Sequence, residues 1–138
     1  MEFARSMIWG MAGALLIAIA GCATTTRPLG LSESAEKLDL SARVLAEHSD
    51  SIGPPYQYDA HDLAQRAHEF RSLVDTATVS DADVSAQFDL VSQTYHKMRA
   101  DAEHANTQQA YSELEPVTTA YRDVRHDLRR PYDAETGD

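Results

Sequence analysis

Six histidines and one cysteine are the side chains of this 138-residue chain best suited to chemistry. The histidines are His48, His61, His68, His96, His104 and His126. Imidazole ligates zinc, copper and haem iron, and it changes charge in the physiological pH range. Two pairs, Asp101-x-x-His104 and Asp123-x-x-His126, imitate the Glu-x-x-His ligand pairs of di-iron helical bundles, with Asp standing where those bundles use Glu. His61 and His68 lie seven residues apart, which is two turns along one helix face. Two turns separate them by about 10 Å, so one ion cannot be bound directly by both. Joined by His96 from a neighbouring helix, they form the one combination with any prospect of a surface site for Zn or Cu. No Cys-x-x-Cys-His motif is present for covalent haem attachment, no serine stands in a nucleophile elbow, and no glycine-rich loop could cradle a phosphate.

Whether those residues can converge depends on the elements that carry them. Apolar residues recur with alternating steps of four and three in four segments. The first stripe is Leu31, Ala35, Leu38, Ala42 and Leu45; the second, after Pro54-Pro55, is Tyr56, Ala60, Leu63, Ala67, Phe70 and Val74. The third is Val84, Phe88, Val91, Tyr95, Met98, Ala102 and Ala105, opened by a Ser80/Asp83 capping pair. Ala110, Leu114, Val117, Tyr121, Val124 and Leu128 make the fourth, and Pro131 is expected to stop it. Each stripe needs other apolar faces to cover it. Short connections at Asp50 to Pro55, Thr76 to Ser80 and Ala105 to Gln108 then predict an all-α, antiparallel, up-down-up-down four-helix bundle over residues 31–130. Pro116 falls inside the fourth segment, where it either kinks the helix or breaks it.

With the stripes at heptad positions a and d, the histidines fall outside the interior. His61, His68 and His96 take b, His104 and Asp123 take c, His126 takes f, and Asp101 lies on the flank at g. Only His48, at g, borders the core. Charged neighbours such as Arg122, Asp123 and Arg125 read as exposed helix charge pairs. The expectation is therefore a non-enzymatic protein with no bound cofactor. A metal- or haem-binding bundle is the alternative, with His61, His68 and His96 as the metal candidates.

The N-terminus carries the clearest functional signal. Arg5 precedes an uncharged run from Met7 to Ala20, which is too short to span a bilayer as a helix. The run ends in Ile19-Ala20-Gly21-Cys22, which resembles the lipobox of bacterial lipoproteins: an aliphatic residue, two small residues, then cysteine. The resemblance implies a lipoprotein signal peptide over residues 1–21, cleavage between Gly21 and Cys22, and a covalent lipid on Cys22. Residue 23 is Ala rather than the Asp that marks inner-membrane retention in Gram-negative lipoproteins, which implies the outer membrane, facing the periplasm. Residues 22–30 read as the acylated cysteine and a short polar tether, and residues 131–138 as a disordered acidic tail.

Removal of 21 residues from 138 leaves 117, enough for one domain. The net charge of −10 disfavours nucleic acid as a partner, and it also disfavours close contact with anionic lipid headgroups. The partners expected are the membrane, through the lipid anchor, and another envelope protein.

Overall fold

The computed structural model describes residues 27, 28 and 30–133. Four helices follow one another: α1 (Leu31–His48), α2 (Tyr56–Val74), α3 (Asp81–Ala105) and α4 (Gln108–Asp133). A short 3-10 turn, Ser49–Ser51, follows α1. No strand occurs among the described residues. Residues 1–21, where a signal peptide is expected, Cys22 and the last five residues lie outside them.

Local chemistry explains the boundaries. The Ser80 hydroxyl accepts a hydrogen bond from the Asp83 N–H at 3.1 Å and caps α3. Asn106, in the left-handed region at φ 47°, ends α3 and turns the chain into α4 within two residues. Gly53 has φ 87° in the turn before α2, a conformation that a side chain disfavours. α4 runs through Pro116 without a break. It also runs through Pro131 to Asp133, so the expected stop at Pro131 does not occur, and residues 131–133 belong to the helix rather than to a tail. A proline removes one intrahelical donor, and near a helix end most of the following turn still forms.

Every stripe residue is buried except Ala105 and Leu128, which are partly buried at helix ends. α1 packs beside α2 and α4, and α3 beside α2 and α4; the backbones of the diagonal pairs stay apart. Side-chain size sets the spacing. Ala35, Ala42, Ala60 and Ala67, all fully buried, let α1 and α2 approach closely. Between α3 and α4 the rings of Tyr95 and Tyr121 stack at 4.1 Å, and Phe88 stacks on Tyr121 at 5.4 Å, so those two backbones approach least. Each buried tyrosine hydroxyl has a protein partner: Tyr56 donates to the Ala110 carbonyl, Tyr95 to Thr118 and Tyr121 to Ser92. The three bonds hold α2 and α3 to α4. Across α2 and α3, falling numbers pair with rising ones: Glu69 with Gln87, Asp62 with Thr94, Asp59 with Lys97.

Candidate functional site

All six histidines are exposed. His48, expected to border the core, is exposed as well, as the last residue of α1. His61 lies 4.0 Å from the Asp50 carboxylate before α2. His68 reaches across to α1, with Nδ1 3.4 Å from Asp39. His96 stands against the rings of Tyr95 and Tyr121 on the α3–α4 side. His61, His68 and His96 are thus not drawn to one point. Among the described residues, no group of three or more His, Cys, Asp or Glu is placed to hold a metal ion. His104 bonds the Ala100 carbonyl of its own helix, and His126 lies 3.5 Å from Asp127. Neither Asp-x-x-His pair faces the interior.

Arg27, which precedes α1, belongs to the fold. Arg27 inserts its guanidinium at the C-terminal end of α2. It donates to the carbonyl oxygens of Leu73 and Thr76 at 3.0 Å, of Val79 at 2.5 Å, and of Val74. Asp81, at the start of α3, lies 3.7 Å from its Nε. Carbonyls at a helix C-terminus lack intrahelical donors and carry partial negative charge, so a cation is the partner they favour. Within residues 22–30, expected to form a polar tether, Arg27 is held against the α2–α3 connection, and residues 22–26 and 29 lie outside the described residues. Nothing in the hydrophobic pattern marks Arg27, since its hydrogen bonds go to backbone carbonyls.

Two carboxylate clusters sit on the flanks of the stripes. Asp39 is fully buried between α1 and α2, where Arg43 donates to it at 2.7 Å and Arg71 at 3.2 Å. Burial pushes its carboxyl up, but the hydrogen bonds from Arg43, Arg71 and His68 outweigh burial and hold it below the ordinary carboxylate range. At the other end of α2, Asp59 and Asp101 face each other beside Lys97. Burial, then the neighbouring Asp59 carboxylate, pushes Asp101 up to about 6. Asp101 Oδ2 is buried without a hydrogen-bond partner, and a proton held on the Asp101 carboxyl supplies a bond to Asp59. The register placed Asp101 on the flank but gave no sign of Asp59 opposite it. The chain would need a substrate cleft beside this pair to use it as an acid and base. An open groove lies elsewhere in the bundle.

That groove, of about 530 Å³, runs between α1 and α4. Leu40, Val44, Pro116 and Ala120 form its apolar floor. Leu40 is 49% exposed and Val44 51%, unusual for large aliphatic side chains on a helix whose inner stripe is complete. Lys37 and Asp123 stand in its lining with Glu113. Such a strip is suited to an apolar protein surface with polar edges.

No family model matches the chain, and neither a curated protein nor a solved structure does. Among the described residues, no helix is long and apolar enough to cross a membrane.

Proposed function

We propose that the chain is a lipid-anchored lipoprotein of the bacterial cell envelope whose helical bundle is non-catalytic and acts by contact with another envelope protein. The observation that carries this reading is Ile19-Ala20-Gly21-Cys22 at the close of a short apolar run. Acylation of Cys22 would hold the bundle at the membrane: each buried methylene contributes about 0.8 kcal/mol, and two or three chains give a lasting anchor. Ala23 favours the outer membrane, with the bundle in the periplasm. The exposed Leu40 and Val44 supply a contact face for a partner.

Two experiments test the two halves of the reading. Cys22→Ser should abolish the acyl mass on the mature N-terminus and block cleavage before residue 22. If cleavage and membrane partition survive that change, the anchor assignment is wrong. A photo-crosslinking residue at Val44 should trap a defined envelope protein in intact cells, while one at the exposed Ala86 on α3 should not. Equal adducts from both positions would remove the groove as the contact face.

A further inference from the structure

We propose that the C-terminal half of α4 is a membrane-facing cationic surface, on which Arg122, Arg125 and Arg129 bind the phosphates of anionic lipid headgroups. The proposal rests on acylation of Cys22. The first observation is a segregation of charge. From Arg27 to Arg99, every Lys and Arg among the described residues has a carboxylate within 4.0 Å. Arg122, Arg125 and Arg129 have none among the described residues, in a chain of net charge −10. The expected pairing of Asp123 with Arg122 and Arg125 is absent: Asp123 stands on the α1 side beside Lys37. Spacings of three and four put the three arginines on one helix face. Arg125 and Arg129 border a groove of about 350 Å³ between α3 and α4, and Asp89 is the carboxylate that shares its lining. Arginine presents a planar fork that matches phosphate oxygens.

The second observation is the end of the bundle on which this face lies. Arg27 fixes the entering chain at the end of α2, and Ser34 in the first turns of α1 donates to Asp127 of α4. The tether therefore enters at the end where α4 finishes. Only five residues lead from Cys22 to Arg27, which allow at most about 18 Å. Beyond Asp127, which lies level with Ser34 in the first turn of α1, α4 continues for six residues, about 9 Å. An anchored bundle thus carries Arg129 nearest its membrane end, with Arg125 about 6 Å and Arg122 about 10 Å further back along α4, and an arginine within a Debye length of about 8 Å would strengthen attraction to an anionic surface about fivefold.

The test uses the mature, acylated protein in vesicles of neutral phosphatidylcholine, with and without phosphatidylglycerol. An arginine-specific dicarbonyl reagent reports each guanidinium by mass spectrometry. On anionic vesicles, labelling should slow severalfold at Arg129, less at Arg125 and least at Arg122, and 0.5 M salt should reverse the protection. Arg43, in the far half of α1, should label equally on both membranes. Equal labelling of the three α4 arginines on both vesicles, with the protein still co-sedimenting, overturns the proposal and leaves the anchor intact. Equal protection by inorganic phosphate in detergent also overturns it, since the site would then bind free anions. Failure to co-sediment with neutral vesicles, or a missing acyl mass on Cys22, would instead overturn the lipoprotein reading.

Discussion

Arg27 donates a 3.0 Å hydrogen bond to the carbonyl oxygen of Leu73, joining the N-terminal approach to the end of α2. Because three further carbonyls accept from the same guanidinium, one side chain caps the helix and holds the turn into α3. Arg27→Ala should lower the unfolding free energy by about 1–3 kcal/mol, the range for hydrogen bonds made by charged groups. Urea denaturation followed by circular dichroism reads this directly. Arg27→Lys should recover only part of the loss, because an ammonium lacks the fork that spans several carbonyls. An unchanged midpoint for Arg27→Ala would show that these side-chain contacts add nothing to the stability of the fold.

Asp39 makes a second prediction. Its carboxyl is held low in the folded protein, so its contribution is fully present above the unfolded value of 3.8 and is lost as pH falls through the folded value. Asp39→Asn preserves shape but removes the charge that Arg43 and Arg71 address. It should cost about 1–3 kcal/mol at pH 7. The gap between variant and parent should close as pH falls below the usual carboxylate range. A gap that persists unchanged at pH 2.5 would mean that packing, not charge, explains the loss.

Asp39 also shows where the sequence pattern stops being informative. The a and d stripes are legible because apolar residues repeat there, and these positions form the core. In a four-helix bundle the buried band is wider than that seam and takes in e and g positions. Ser34, Thr94 and Asp127, all at g, are buried, as is Asp39 at e. Polar residues at such positions look like solvated flank in a single sequence. Their partners, Arg71 for Asp39 and Ser34 for Asp127, come from other helices. The outward b, c and f positions were readable, and the histidines there are exposed. The ion pairing of α4 was not, because it depends on which way Asp123 faces.

The Asp59–Asp101 pair bends stability the other way. Asp101 holds its proton up to about pH 6 in the folded chain, against 3.8 unfolded. Between those values the unfolded state ionises first, so stability falls as pH rises through that window. Asp101→Asn removes the titration and keeps a donor for Asp59. At pH 7.5 the variant should be more stable than the parent by roughly 1–2 kcal/mol, and near pH 4 the two should agree closely. Thermal melts across pH 4 to 8 would show the curves parting. Parallel curves would mean that Asp101 ionises normally.

Pro116 separates the surface of α4 from its fold. It lies in mid-helix, exposed, where it leaves the Ser112 carbonyl without its intrahelical donor. A proline in a helix interior costs about 3 kcal/mol, so Pro116→Ala should raise stability by about 1–3 kcal/mol. The same ring helps to floor the groove with Leu40 and Val44. If a partner sits in that groove, Pro116→Ala should reduce crosslinking from its rim even as the protein becomes harder to unfold. Leu40→Glu gives the converse case. With Leu40 already 49% exposed, that change should alter stability by no more than about 0.5 kcal/mol yet abolish the crosslink from Val44. Stability and contact would then move independently, as a face built for a partner requires. Full crosslinking by Leu40→Glu would show that the apolar strip on α1 is not where the partner binds.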